Sequence, residues 1–289
     1  MSKCAFIGLG VMGFPMAGHL AKAGLSVTVF NRNGAKANSW CQTYDGQKAA
    51  TPRVAAQDAD FVFTCVGNDD DLRAVVLGED GVLAGMKAGA ILIDHTTTSA
   101  EVARELAAAC EAQNVAMLDA PVSGGEAGAV NAALTIMVGG EPEVYAQAEP
   151  ILAHFARASK LLGPAGAGQL TKMVNQICIG GLVQGLAEGL NFAEKAGLDG
   201  RAVIDTISKG AAQSWQMENR FETMIDGAFD FGFAVDWMVK DLGICLEEAA
   251  RNGAPLPVTE LVKGYYEEVQ TMGGGRWDTS SLLKRLQSL

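Results

Sequence analysis

Two rhythms of apolar and polar positions divide this chain near residue 163. Upstream, short apolar runs alternate with amphipathic stretches, the pattern of strands buried on both faces and separated by helices. The runs are Cys4–Ile7, Leu25–Phe30, Phe61–Val66, Ala90–Asp94 and Val115–Asp119, with Leu134–Val138 and Ser159–Leu162 as two further candidates. Phe14–Gly24, a stretch beginning at Asp69, Ala100–Gln113 and Pro142–Phe155 read as helices between them. Downstream, segments starting at Asp199, Gln213, Ala234, Pro257 and Thr279 are all helical in period, broken at Gly210, Gly227, Gly253 and Gly273-Gly274-Gly275. The joint is Gly163–Gly197, where the turn Gly163-Pro164-Ala165-Gly166-Ala167-Gly168 opens a long, largely apolar segment. An α/β N-terminal domain over residues 1–163 and an all-α C-terminal domain over 164–289, connected by one long helix, is the expected architecture.

Chemistry enters with the first turn. Gly8-Leu9-Gly10-Val11-Met12-Gly13 follows the first apolar run directly and opens the first helix. In that setting the G-x-G-x-x-G spacing marks a Rossmann-type dinucleotide site. Gly8 makes the tight turn, Gly10 lets a pyrophosphate approach the backbone, and Gly13 lets helix pack on strand, while the helix N-terminus offers amides and positive potential. The second run ends in Asn31-Arg32-Asn33. A carboxylate there would hold the 2′-hydroxyl of NAD; an Arg without one accepts a 2′-phosphate, so NADP is favoured and NAD stays possible. Cys65 and Val66, closing the third run, are further candidate cofactor contacts. Thr96, in the loop after Asp94, is a candidate cofactor or substrate contact, because loops at the carboxyl ends of strands face the ligand. Ser123-Gly124-Gly125, after Asp119, presents a hydroxyl and two unobstructed amides suited to a small carboxylate. It lacks the G-x-S-x-G elbow of a nucleophilic serine. The Asp69-Asp70-Asp71 run suits a helix N-terminus better than a metal, and no metal site is expected.

Composition narrows the partners. Twenty-two basic against 33 acidic residues give a net charge of −11, which argues against nucleic acid or an anionic membrane surface. The one suspect for a membrane span, Ile177–Ala193, carries Gln184, Glu188 and Asn191. A strand-like run starting at residue 4 leaves no room for a signal peptide, and six scattered cysteines, mostly in apolar runs, suit buried thiols in a reducing compartment. A cytoplasmic location is expected.

Four segments together resemble the β-hydroxyacid dehydrogenase family: Phe6–Gly13 with Pro15-Met16-Ala17, Asp119–Gly125, Gly168 through Lys172-Met173-Val174-Asn175, and Lys240-Asp241-Leu242-Gly243. That family includes 3-hydroxyisobutyrate dehydrogenase, tartronate semialdehyde reductase and glyoxylate/succinic semialdehyde reductases. The resemblance covers the whole chain in order. It implies hydride transfer between NAD(P) and a short, carboxylate-bearing 3-hydroxy acid or its semialdehyde, in a homodimer or homotetramer. It places the catalytic lysine at Lys172, with Asn175, Ser123, Gly124 and Gly125 on substrate, Thr96 beside the nicotinamide, and Lys240 on cofactor or substrate; Trp215, Met217, Phe221 and Phe231, outside those segments, are candidates for the pocket lining. The chain departs from the family pattern at His19, at His95-Thr96-Thr97-Thr98 and at Val66-Gly67-Asn68. Semialdehyde reduction with NADPH is the first expectation and oxidation of 3-hydroxyisobutyrate- or serine-like acids the second. An imine reductase, in which the lysine position usually carries another residue, and a non-catalytic dinucleotide-binding module are the alternatives.

Overall fold

The computed structural model describes residues 2–289. It divides into two compact units, the first ending at Lys172 and the second running from Met173 to Leu289.

In the first unit, β1 (Lys3–Ile7), α1 (Gly13–Lys22), β2 (Ser26–Phe30), α2 (Gly34–Thr43), β3 (Gln47–Lys48), α3 (Pro52–Ala56), β4 (Phe61–Thr64), α4 (Asp69–Leu77), β5 (Ile91–Asp94), α5 (Ala100–Glu111) and β6 (Ala116–Asp119) follow one another. The six strands form one sheet in the order β3-β2-β1-β4-β5-β6, and every pairing in it is parallel. Side chains alternate between two buried faces, as strand geometry requires. Cys4 and Phe6 join Val29, Phe63, Ile93 and Leu118 on one; Ala5 and Ile7 join Val62, Leu92 and Met117 on the other. Burial on both faces is why these strands read as continuous apolar runs. The chain leaves β1 toward β2 and β3, then returns to the other side of β1 as β4, so a topological switch point lies between β1 and β4, where such sheets bind ligands.

The two candidate strands near residue 140 form, but not in that sheet. β7 (Val122–Ser123), β8 (Leu134–Val138) and β9 (Ala156–Leu161) make a separate three-stranded sheet, flanked by α6 (Gly125–Val130) and α7 (Pro142–Leu152). β7 pairs antiparallel and β9 parallel to β8. β9 begins three residues ahead of the expected Ser159; its first residues, half-buried Ala156 and exposed Arg157 and Ala158, form no apolar run that would have marked the start.

The helix α8 (Ala167–Lys195) begins in the first unit and continues into the second. The second unit adds α9 (Gly200–Ile207), α10 (Trp215–Ile225), α11 (Val235–Asn252), α12 (Pro257–Thr271) and α13 (Leu282–Gln287). Its core is separate, built from Val183, Leu190, Met224, Met238, Leu242 and Tyr266 among others. Ser214 caps α10 through the Met217 amide, and left-handed Gly253 ends α11. No helix among the described residues is long and apolar enough to cross a membrane. The six cysteines form no disulfide; Cys4, Cys110 and Cys245 are buried, whereas Cys178 is exposed, against the expectation that these thiols lie inside. Cys178 falls on a surface turn of α8, whose apolar sequence hid which of its faces is covered.

Gly13 shows how tightly the first turn is built. A Cβ there would lie 2.0 Å from the Gly8 carbonyl oxygen and 2.9 Å from the Phe6 ring. Gly13→Ala should therefore force α1 away from β1, lowering stability by about 1–3 kcal/mol, as overpacking does, and weakening dinucleotide binding. Thermal melting and cofactor titration check this, and an unshifted melting temperature would show that the turn widens freely.

Candidate active site

The loop Gly8–Gly13 leaves β1 at the switch point. Gly8 holds a φ of +99°, and a Cβ on it would sit 2.1 Å from the Cys65 carbonyl, so only glycine serves. Gly10 is the opposite case: an added Cβ would meet nothing within 4 Å, leaving open space over the backbone where a pyrophosphate needs to approach. A cavity of about 530 Å³ adjoins this loop, lined by Leu9, Gly10, Val11, His19, Lys22 and Lys36 among others. These features fit a bound dinucleotide. His19, one of the departures from the family pattern, lines the cavity with Nε2 3.0 Å from the Ala129 carbonyl oxygen. Lys36, which motif reasoning passed over, lies four residues beyond Arg32; that spacing was its signal.

Beyond β2, the three residues Asn31, Arg32 and Asn33 do different things. Asn31 turns inward: its Oδ1 accepts from the Leu9 amide at 2.9 Å and its Nδ2 donates to the Asn33 carbonyl, so it braces the glycine loop from below. Asn33 caps α2 by accepting from the Ala35 amide. Arg32 points to solvent with 89% of its side chain exposed and pairs with Asp71 at 3.1 Å. An exposed pair of this kind is worth about 0–1 kcal/mol, so Asp71 is a weak competitor for that guanidinium. Asp69, Asp70 and Asp71 occupy the first turn of α4, which Asn68 caps. Asp69 also accepts from the Ser99 amide and hydroxyl.

The carboxyl ends of β4, β5 and β6 carry a buried polar cluster. Asp94 Oδ1 accepts from the Thr64 hydroxyl at 2.7 Å and from the Thr96 amide at 3.0 Å, while Oδ2 is buried without a hydrogen-bond partner. Burial, with Asp119 adding repulsion, pushes its carboxyl up to about 7. His95 Nδ1 lies 2.6 Å from the Ala120 carbonyl oxygen, and its ring stacks on Phe63 at 5.8 Å. Burial pushes that imidazole down to about 4, so it is neutral at pH 7. Thr96 is buried beside them, its hydroxyl accepting from the Val66 amide at 3.1 Å.

Asp119 ends β6 and opens the Asp119–Gly125 segment, where it was not singled out as a site residue. Its carboxylate accepts from the Gly166 amide at 2.8 Å and the Gln169 amide at 2.9 Å, which anchors the start of α8 to the sheet. Burial holds this carboxyl above the usual range even though those amides favour its charged form. Lys172 follows on the second turn of α8 and is buried, 7% exposed. Ser123 pairs with Thr135 at the edge of the small sheet, and Gly124 and Gly125 turn the chain into α6.

The second unit holds the remaining expected residues. Asn175 Nδ2 donates to Gln176 Oε1 at 2.8 Å, Gln176 Nε2 donates to Asp241 Oδ2 at 2.7 Å, and Lys240 Nζ lies 3.2 Å from Asp241 Oδ1. Asn175 and Lys240 are thus tied together through Gln176 and buried Asp241, neither of which sequence reasoning singled out as a site residue. Phe231 is half-buried beneath the Arg220 guanidinium, 5.2 Å from its ring, and Arg220 also covers Trp215 and pairs with Asp278. Met217 is core.

Comparison with known proteins fits this geometry. Residues 3–176 match the model of the NAD binding domain of 6-phosphogluconate dehydrogenase, and residues 166–286 match the NAD-binding domain of NADP-dependent 3-hydroxyisobutyrate dehydrogenase. The chain belongs to the β-hydroxyacid dehydrogenase family. Within that family it is 67% identical to an uncharacterized oxidoreductase of Shewanella frigidimarina, over 99% of both chains. It is 36% identical to 2-(hydroxymethyl)glutarate dehydrogenase of Eubacterium barkeri, over 98% of this chain and 94% of that one. Among solved structures, Mycobacterium tuberculosis 3-hydroxyisobutyrate dehydrogenase with L-serine superposes with a TM-score of 0.90, at 30% identity and 99% coverage of both chains. This β-hydroxyacid dehydrogenase is accordingly an NAD(P)-dependent oxidoreductase.

Proposed function

We propose that this dehydrogenase reduces a short, carboxylate-bearing semialdehyde with NADPH, using Lys172 as the general acid, and runs the reverse oxidation with the same residue as base. The observation that carries it is the placement of Lys172: buried, on the second turn of a helix whose start is hydrogen-bonded to the end of β6, at the carboxyl edge of the sheet. A bound nicotinamide supplies or accepts the hydride. Lys172 Nζ gives its proton to the forming alkoxide, or takes the hydroxyl proton in the other direction. The Ser123 hydroxyl and the amides of Gly124 and Gly125 bind the substrate carboxylate, and Thr96 borders the nicotinamide. Asn175 and Lys240 contribute from the helical unit, an assignment supported by the family resemblance, and the half-buried Phe231 ring is a candidate for the pocket lining. Absence of a carboxylate at the end of β2, together with Arg32 and Lys36, favours NADP over NAD.

The first unit serves as the dinucleotide-binding domain and the second as the substrate and assembly domain of a cytoplasmic homodimer or homotetramer. A panel of C2 to C5 semialdehydes and 3-hydroxy acids, run with both cofactors, tests the function. At least one semialdehyde should turn over with NADPH. A hundredfold preference for NADH would overturn the role of Arg32, and no turnover despite tight cofactor binding would leave a binding module instead.

A further inference from the structure

We propose that Gln169 is a positioning residue for hydride transfer, its carboxamide setting the loop that carries Thr96 in register with the helix turn that carries Lys172. This rests on the function proposed above. Gln169 is fully buried, 0% exposed, three residues before Lys172 on α8. Its side chain works in both directions on one loop: Nε2 donates to the Thr96 carbonyl at 2.7 Å, and Oε1 accepts from the Thr98 amide at 3.1 Å. Its own amide donates to Asp119 Oδ2. Backbone and side chain of one residue therefore join the end of β6, the loop after β5 and the first turn of α8.

The other groups of Thr96 are held as well, the amide by Asp94 and the hydroxyl by Val66. Gln169 is the member of this set that sits on the same helix as Lys172. A carboxamide supplies a donor and an acceptor side by side without charge at every pH, as a carboxyl does only while protonated. Glutamate keeps the acceptor for Thr98 but, once ionised, turns a second acceptor toward the Thr96 carbonyl. Methionine fills the space and offers neither. Asp119 holds the start of α8 independently, so the helix keeps its anchor when the Gln169 side chain is changed. What is lost is the register between two groups flanking the reacting centre, and errors near 1 Å there cost up to about a hundredfold in rate.

Gln169→Met and Gln169→Glu in the full chain test this, with a substrate found in the panel and reduced cofactor deuterated at the transferred position. Expected is a fall in kcat of about tenfold to a hundredfold in both variants, measured for Gln169→Glu at a pH alkaline enough to ionise the introduced carboxyl. The substrate KM and cofactor Kd should stay within about threefold, the signature of an interaction used in the transition state. The primary isotope effect on kcat should rise, because the hydride step becomes limiting. Hydrogen exchange at the Thr98 amide should speed up in Gln169→Met and stay slow in Gln169→Glu. A lowered melting temperature with kcat and isotope effect unchanged at assay temperature overturns the proposal and leaves Gln169 structural. If the wild type turns over nothing in the panel, the proposed function fails and takes this inference with it; if the wild type is active and both variants match it, only the Gln169 assignment fails.

Discussion

Lys172→Ala should lose turnover by about a hundredfold to ten-thousandfold, the range general acid–base catalysis supplies, while binding the nicotinamide cofactor as the wild type does. The two effects separate because the groups that fit the dinucleotide lie elsewhere in the first unit, at Gly8–Gly13 and at the cavity lined by Lys22 and Lys36. Lys172 is 7% exposed, and a solvated surface lysine on a helix would be expected to show far more. Its helix start is fixed by Asp119 through two amides, so truncating one side chain a turn later leaves that anchor intact. Steady-state kinetics and cofactor fluorescence make the measurement. Turnover near the wild-type rate would remove Lys172 from the chemistry, and with it the general acid proposed for reduction. Lys172→Arg is the companion variant: it keeps a positive charge but cannot release a proton near neutral pH, so oxidation should be lost in it as fully as in the alanine variant.

How much of this was legible in the sequence depends on how local each feature is. The glycine loop was readable because β1, the turn and α1 are consecutive, and the reason for each glycine is a contact made inside that unit. The strands of the large sheet were readable because both their faces are buried, leaving unbroken apolar runs. Short, polar elements were not: β3 is two exposed residues at the sheet edge, and α2 has a weak apolar face with only Ala37 and Trp40 buried. The separate small sheet escaped because an apolar run records burial, not which strand it pairs with.

Candidate site residues divide along the same line. Lys172 and Ser123 lie within compact signature segments that can be recognised whole. Asp119 acts on amides 47 and 50 residues later, and Gln169 on a loop more than 70 residues earlier, so nothing near either in sequence marks the partnership. Asn31 joins a local cue to a contact made far away in sequence. Its position at the strand end suggested a cofactor contact, yet its side chain is directed to the Leu9 amide.

Asp94→Asn should gain stability relative to the wild type as pH rises, by about 4 kcal/mol between pH 4 and pH 8. Burial raises the Asp94 carboxyl from 3.8 to about 7, so the folded chain holds a proton there that the unfolded chain has released. Stability from this group is complete below pH 4 and is lost as pH rises through 7. His95, next in sequence, works the other way: burial lowers its pKa from 6.5 to about 4, and the unfolded chain binds the extra proton. Its contribution is present above pH 6.5 and is lost as pH falls through 4. Between pH 4 and 6.5 the two slopes oppose each other, so they partly mask one another in the wild type. Asparagine keeps an acceptor for the Thr64 hydroxyl and the Thr96 amide, the two bonds made by Asp94 Oδ1, and cannot ionise. The variant thus imitates the neutral acid, unmasks the His95 slope, and avoids the buried charge that the wild type must carry above pH 7. Urea unfolding at fixed temperature across this range, compared through midpoints at unchanged m, reads the difference directly. A constant offset between the two proteins from pH 4 to pH 8 would mean that Asp94 titrates alike in the folded and unfolded chains, and that the polar cluster at the ends of β4, β5 and β6 is solvated rather than sealed.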